Sequence, residues 1–180
     1  DTLAPERGWA LDSGLDVQAG RWTLSATPFI RWDEDVIDWI RGSTAERWRT
    51  TNVRDVTTRG LEWSASGRFT GALVRAHVTL LDVDAQKLTM LSKYVLDYAP
   101  RSAGLSVAVP LAARVVLSAT ADGRDRLDGQ QYVLLGARLT RPVGRVDVFV
   151  EGSNLLDEAY REIGGVTMPG RWVSAGIRLR

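Results

Sequence analysis

The run Ala72-Leu73-Val74-Arg75-Ala76-His77-Val78-Thr79-Leu80 alternates in character: Ala72, Val74, Ala76, Val78 and Leu80 share one parity, and Arg75, His77 and Thr79 share the other. Successive side chains of a β-strand point to opposite faces, so this segment reads as a strand with one apolar and one polar face. The same period of two returns in Leu61/Trp63/Ala65, Leu105/Val107/Val109, Val115/Leu117/Ala119 and Val133/Leu135/Ala137/Leu139. It returns again in Val146/Val148/Val150 and in Val173/Ala175/Ile177/Leu179. No stretch shows a helical period. The fold class is therefore all-β, built from antiparallel strands.

The pattern predicts about nine strands, near residues 9–18, 22–39, 48–66, 72–82, 101–109, 114–121, 131–140, 146–152 and 171–179. Arg75, Arg114, Arg138 and Arg178 fall on the polar parity of these segments. One arginine facing lipid at mid-membrane costs about 2–4 kcal/mol, so this placement fits a barrel with a wet interior. It fits equally a soluble β-sandwich with one solvated face. The connections separate the two. Short turns near 19–21, 67–71, 110–113 and 142–145 alternate strictly with longer polar connections near 41–46, 83–100, 121–129 and 153–170. Tight turns at one end and large loops at the other are the asymmetry of an up-and-down transmembrane β-barrel, and a Greek-key sandwich has no reason to produce it. Single-chain bacterial barrels normally have even strand numbers, and nine is odd. The expectation is a barrel segment whose earlier strands precede Asp1.

Composition excludes several classes of function. Among 180 residues with a net charge of +1, the arginines are scattered and the only lysines are Lys87 and Lys93, which argues against a nucleic-acid partner. Cysteine is absent and His77 is the single histidine, so no metal centre, disulfide framework or resident cofactor is expected. A Ser-His-Asp arrangement would have to use His77, whose neighbours Arg75 and Thr79 are the polar face of a strand; no catalytic residues are assigned. The glycines follow turns and strand crowding, without the helix a phosphate loop needs. Asp33-Glu34-Asp35 lies near the outer end of a long hairpin and reads as a solvated charge run in preference to a weak cation contact. Seven tryptophans suit either a headgroup girdle or core and loop anchors, with Trp9 and Trp22 expected around one short turn and Trp32, Trp39 and Trp48 around a long connection.

Near the end of the chain, Asn154-Leu155-Leu156-Asp157-Glu158-Ala159-Tyr160, followed by Gly165 and Met168-Pro169-Gly170-Arg171, resembles the C-terminal signature of TonB-dependent outer-membrane receptors. In that family an alternating strand ends in Asn-Leu-x-Asp-x-x-Tyr, and a loop ends in Pro-Gly-Arg before the final strand. Upstream pieces keep the family's order: Leu3-Ala4-Pro5-Glu6, Asp35-Val36-Ile37-Asp38-Trp39-Ile40, Gly60-Leu61-Glu62 and Tyr98-Ala99-Pro100-Arg101. One departure is the ending Ile177-Arg178-Leu179-Arg180, where the family usually has an aromatic residue.

The resemblance implies a barrel of about 22 strands with an N-terminal plug in its lumen, the plug carrying the segment that contacts TonB. These residues are then the last strands of that barrel, in the outer membrane of a Gram-negative-type bacterium. It implies active transport of a scarce nutrient, a metal chelate such as a ferric siderophore, or cobalamin. The expected partners are outer-membrane lipid, the TonB complex through the plug, and the small-molecule ligand. The signature residues Asn154, Leu155, Asp157, Tyr160, Pro169, Gly170 and Arg171 read as structural: Asn154 and Asp157 bond to backbone two residues on, Pro169 and Gly170 shape the turn, and Arg171 braces the hairpin. The alternative is a loop that closes over substrate. Glu62, Arg75, His77, Arg138 and Glu151 are expected to face the lumen, and Tyr94 and Tyr98 to touch ligand from the loops. A passive porin-like or adhesin-like barrel and a soluble β-sandwich binding module stand as the rival functions.

Overall fold

The computed structural model describes residues 3–85, 90–94, 97–162 and 165–180. Parts of the two longest expected connections, 86–89, 95–96 and 163–164, lie outside the described residues, and so does Lys87.

Alternation over so many segments gives one antiparallel sheet. Its strands are β1 (Arg7–Asp12), β2 (Leu15–Ala19), β3 (Trp22–Arg41), β4 (Arg49–Phe69), β5 (Ala72–Ala85), β6 (Leu91–Ser92), β7 (Arg101–Pro110), β8 (Val116–Asp125), β9 (Gln131–Val143) and β10 (Val146–Ser153), closing on β13 (Trp172–Leu179). The short β11 (Arg161–Glu162) and β12 (Val166–Thr167) form a separate ribbon in the last connection. The spatial order β1-β3-β4-β5-β7-β8-β9-β10-β13 is the chain order, with β2 continuing β1 along β3 and β6 added beside the end of β3. Each strand thus pairs with its sequence neighbour, as in an up-and-down barrel. The sheet is not closed: among the described residues β1 and β2 pair only with β3, and β13 only with β10.

Two expected boundaries differ for physical reasons. The strand placed at 9–18 is interrupted at Ser13 and Gly14, where the Ser13 amide still donates to the Pro28 carbonyl at 3.2 Å. The strand placed at 114–121 begins only at Val116, because Ala112–Arg114 forms a 3-10 turn with Ala113 and Arg114 at φ 55° and 61°. Arg114 is therefore a turn residue and not, as its parity suggested, part of a polar strand face. Trp9 and Trp22 do not flank one turn either: Trp9 pairs across the sheet with Trp32, far from Trp22 beside Gly20.

The register makes the two faces explicit. One rung runs Ser25–Ser64–His77–Gly104–Asp122, and the next of the same parity runs Thr23–Ser66–Arg75–Ser106–Thr120. Between them lies Leu24–Ala65–Ala76–Leu105–Ala121, on the opposite face. On β4 the apolar parity carries Leu61, Trp63, Ala65, Gly67 and Phe69, with Arg59 beyond it; on β5 it runs from Ala72 to Leu80, with Asp82 beyond. Nine residues at about 3.3 Å each, tilted by about 40°, give roughly 23 Å of height. That matches the ~25 Å apolar band of an outer-membrane barrel.

This apolar face has no cover. Leu61, Leu105, Val133, Val150 and Ile177 are 40%, 46%, 47%, 49% and 71% exposed. A sandwich would bury such a face against a second sheet about 10 Å away. No such sheet exists among the described residues, which removes the soluble-sandwich architecture.

Large rings lie over cross-strand glycines on the polar face. Phe29 pairs with Gly60, His77 with Gly104, and Phe149 with Gly176. A Cβ on Gly176 would stand 2.7 Å from Phe149, closer than any real contact. Such aromatic–glycine pairs let the sheet coil while the ring fills the space the missing side chain leaves.

The faces differ in what they tolerate. In the full-length protein, Leu105→Arg is expected to destabilise the bilayer-inserted fold by about 2–4 kcal/mol, and Ser106→Arg, one residue along, by much less. Urea titrations of bilayer-inserted protein followed by tryptophan fluorescence measure both, and equal losses contradict the assignment of faces.

Candidate functional site

The polar face and the loops at the long-connection end carry most of the ionisable side chains that meet one another. All five residues expected on the wet side share the polar parity. Glu62 stands between Thr27 and Thr79, Arg75 between Ser66 and Ser106, and His77 between Ser64 and Gly104. Arg138 stands between Ser118 and Glu151. Among the five, the geometry joins one pair. Arg138 Nη1 donates to Glu151 Oε2 at 2.9 Å, and its guanidinium lies 3.7 Å from the Phe149 ring centroid. Ser174 donates its hydroxyl to the other Glu151 oxygen at 3.2 Å, so three strands share one carboxylate. Both charged side chains are partly open to solvent, which limits the pair to about a kilocalorie per mole in water. Beside it, Thr120, Gly136 and Trp172 complete a concavity of about 480 Å³.

The last connection crosses the loop end of the sheet. β9 runs past the top of β10, which leaves its outer edge without a neighbouring strand. The loop covers that edge: Leu155 donates its amide to the Leu135 carbonyl at 2.9 Å, and Arg161 donates its amide to the Gln130 side chain at 2.9 Å. Asn154 organises the crossing. It is nearly buried and sits at φ 47°, a left-handed conformation that asparagine tolerates better than most residues. Its Nδ2 donates to the Glu158 carbonyl at 2.9 Å and to the Pro169 carbonyl at 3.2 Å, while its Oδ1 accepts from the Glu158 amide at 2.9 Å. Asp157, at φ 58°, accepts from the Arg171 amide at 2.8 Å, and the Arg171 guanidinium lies 3.9 Å from the same carboxylate. Gly170 leaves room for this carboxylate, since a Cβ would come within 2.7 Å of Asp157 Oδ1. The sequence reading had Asn154 and Asp157 bonding two residues on. Asn154 reaches four and fifteen residues on and Asp157 fourteen, and so they tie the two ends of the loop together.

Tyr160 packs on Tyr132, with ring centroids 4.8 Å apart, and Leu155 fills the space over Gly152. Glu162 meets Arg124 at 3.4 Å and the Tyr132 hydroxyl at 3.5 Å. The signature residues are thus gathered into one bonded unit over the polar side of β9.

Other loop residues went unnoticed in the sequence because their partners are distant along the chain. Arg126 is nearly buried and paired with Asp97, joining the connection before β7 to the one after β8. Asp38 is 1% exposed; its carboxylate accepts from the Ser92 hydroxyl and from the Trp39 amide at 2.7 Å. Arg41 lies 4.3 Å from the Trp48 ring, and Lys93 approaches Tyr94 at 5.1 Å and Trp39 and Trp48 at 6.0 Å each. Of the two tyrosines expected to touch ligand, Tyr94 is exposed beside this cluster, whereas Tyr98 is partly buried. Burial raises the Tyr98 pKa above its ordinary value, the Val83 backbone hydrogen bond opposes this, and Asp82 adds to it. Near the outer bend of β3, Asp33 is held by Arg31 at 2.7 Å, and Asp35 takes a positive φ of 53° at a bulge. No group of three or more metal-ligating side chains occurs among the described residues.

The chain matches the family model described as TonB dependent receptor-like, beta-barrel, over residues 1–157. No curated protein sequence matches it. Among solved structures it is similar to the FrpB iron transporter from Neisseria meningitidis, with 16% identity and a TM-score of 0.72 over 98% of this chain and 32% of that one. It is similar to the copper transporter OprC at 16% identity and a TM-score of 0.77, covering 98% of this chain and 31% of that one. It is also similar to BauA, the ferric preacinetobactin receptor from Acinetobacter baumannii, at 16% identity and a TM-score of 0.65, covering 94% and 29%. The chain therefore spans about a third of the length of these structures.

Removing the Asn154 side chain takes away two donors and one acceptor that are shielded from water. Asn154→Ala in the full-length protein is expected to destabilise the final loop by about 1–3 kcal/mol. Limited proteolysis should then cut between residues 154 and 171 while the strands remain protected, and an unchanged cleavage pattern contradicts this role.

Proposed function

The chain belongs to the family of TonB-dependent receptor β-barrels, and we propose that it forms the last strands and outer loops of an active importer in the outer membrane. The observation that carries the reading is the two-faced, chain-ordered sheet with an uncovered apolar band. Such a sheet is stable only where lipid covers one face and a hydrated or plugged lumen the other. The free edges of β1 and β13 then pair with further strands of the same barrel, since an unpaired edge inside a membrane leaves backbone groups unsatisfied. Glu62, Arg75, His77, Arg138 and Glu151 face the lumen, where they meet a plug that contacts TonB. The signature from Asn154 to Arg171 is structural: its polar groups are spent on its own loop, and few remain for cargo.

The cargo is a scarce metal or metal chelate, such as a ferric siderophore, taken up at the outer loops where Arg41, Lys93, Trp39, Trp48 and Tyr94 gather. Iron, copper and ferric-siderophore proteins are among the structural neighbours, which supports this class; cobalamin, the other cargo the family resemblance implied, has no counterpart among those three. Work is done on the plug by TonB, and this wall holds the plug and loops in position. A passive barrel of the same architecture is the second reading.

Uptake of labelled metal chelate by cells producing the full-length protein separates the two. Active import predicts that uptake falls to background when TonB is deleted or the proton gradient is collapsed. Uptake that persists without TonB supports the passive barrel instead.

A further inference from the structure

Four short turns close the hairpins β2–β3, β4–β5, β7–β8 and β9–β10, and each carries arginine. Arg21 and Arg145 sit in two-residue turns, and Arg114 ends the 3-10 turn. Arg68 is the penultimate residue of β4, and Arg141 lies two residues before the end of β9. All five are exposed. Within three residues of these turns the only carboxylate is Asp147. It is taken by Arg180, whose Nη2 and Nε donate to Asp147 Oδ1 at 2.6 and 2.8 Å, and Arg178 stands opposite it across the strands. Among the described residues, Arg21, Arg68, Arg114, Arg141 and Arg145 form no ion pair and no side-chain hydrogen bond.

The loop end is built differently. There arginines meet carboxylates: Arg31 with Asp33, Arg124 with Glu162 and Arg126 with Asp97. Chain reversal does not account for the arginines of the rim, since Gly20, Gly71 and Gly144 supply the positive φ that three of the turns use. Successive turns are two strands apart, about 10–13 Å along the rim once strand tilt is included. The Debye length at physiological salt is about 8 Å, so an anion seated between two turns feels both. Three turns are two residues long and the fourth five, so no loop here encloses a small anion; the rim offers an open row of charge. Of the two strand arginines, Arg141 has the apolar parity and Arg68 the polar one. The other three lie in the turns, so the row follows the end of the barrel wall and not its lipid face.

Resting on the outer-membrane reading above, which puts the short turns in the periplasm, we propose that this rim docks on the peptide-crosslinked glycan of the cell wall. That polymer is extended and carries free peptide carboxylates at repeated intervals, the complement of an open row of guanidinium groups. Each carboxylate takes a turn arginine in the bidentate geometry that arginine offers and lysine does not. A single exposed pair of this kind is weak, so the contact depends on several turns engaging one polymer together. A phospholipid headgroup is the poorer occupant, because it would be met from the lipid side, where Arg141 alone of the strand arginines has the right parity.

Co-sedimentation of the full-length protein, held in phosphatidylcholine nanodiscs, with protein-free cell-wall sacculi tests this. The wild type is expected to pellet with the sacculi, less so as salt rises, and not with sacculi whose carboxylates have been converted to amides. The triple variant Arg21→Gln, Arg114→Gln, Arg145→Gln should bind about tenfold more weakly or worse. The triple variant Arg7→Gln, Arg47→Gln, Arg49→Gln, which removes the same charge from the loop end, should bind as the wild type does. If the rim variant fails to insert, the double variant Arg21→Gln, Arg145→Gln and the amidated wall decide the matter. No binding by the wild type, equal loss in both triple variants, or indifference to amidation overturns the docking surface. So does a rim variant that keeps the wall and loses only anionic phosphatidylglycerol in native mass spectrometry, which assigns the arginines to lipid headgroups. Failure of the barrel reading looks different: the protein then does not insert into nanodiscs and Leu105→Arg is tolerated.

Discussion

Backbone amides and carbonyls inside a membrane have no water to bond to, and every other feature of this chain follows from how the sheet answers that constraint. Each strand takes its bonds from the strands adjacent to it in sequence, so the ladder from β3 to β13 is satisfied without long crossovers. Once the backbone is paired in this way, side chains are forced to alternate between the two faces of the sheet. The sequence must then alternate too, and Leu61, Trp63, Leu105, Val133 and Ile177 fall on one side while Glu62, Arg75, His77, Arg138 and Glu151 fall on the other. Where the ladder lacks a neighbouring strand, at the top of β9, the final loop supplies a backbone bond through the Leu155 amide to the Leu135 carbonyl, and the Arg161 amide ties the loop to the Gln130 side chain just before the strand.

The same constraint divides the work among the loops. The short-turn end needs only residues that reverse direction, such as Gly20 at φ 62° and Gly144 at φ 59°. The other end rises well past the band: β3 and β4 have 20 and 21 residues, about twice the 9–11 that a tilted strand needs to cross. That surplus carries Trp39, Arg41 and Trp48 beyond the apolar band; Asp38 fastens Ser92 to it, and the Arg126–Asp97 pair joins the connection before β7 to the one after β8. The loop end thus carries a few exposed aromatic and cationic groups, above a polar face that has its own carboxylate bridge at Glu151.

Fold class, strand order and the polar set were legible in the sequence because a period of two is a local signal, repeated on every strand. The alternation of turn and loop lengths was equally local, and it distinguished a barrel from a sandwich before any coordinate was known. What the sequence did not reveal depends on distant partners or on backbone conformation. Arg114 looked like a strand residue because parity says nothing of the left-handed turn at Ala113 and Arg114. Asn154 and Asp157 were recognised as turn-formers, but their true partners, Pro169 and Arg171, are apart in the chain and meet only when the loop folds back. Asp38 and Arg126 carry no linear mark at all, since the partner of each lies on a different strand or loop.

The most direct measurement is a nitroxide scan along β5 in the full-length protein reconstituted in bilayers. These 180 residues contain no cysteine, so once any cysteine elsewhere in the full-length protein is replaced, single cysteines at positions 74 to 79 can each be labelled alone. Positions 74, 76 and 78 should respond strongly to lipid-dissolved oxygen and weakly to a water-soluble nickel reagent. Positions 75, 77 and 79 should show the reverse or be shielded from both. A profile without that two-residue period, or one in which the even positions meet water, contradicts the account.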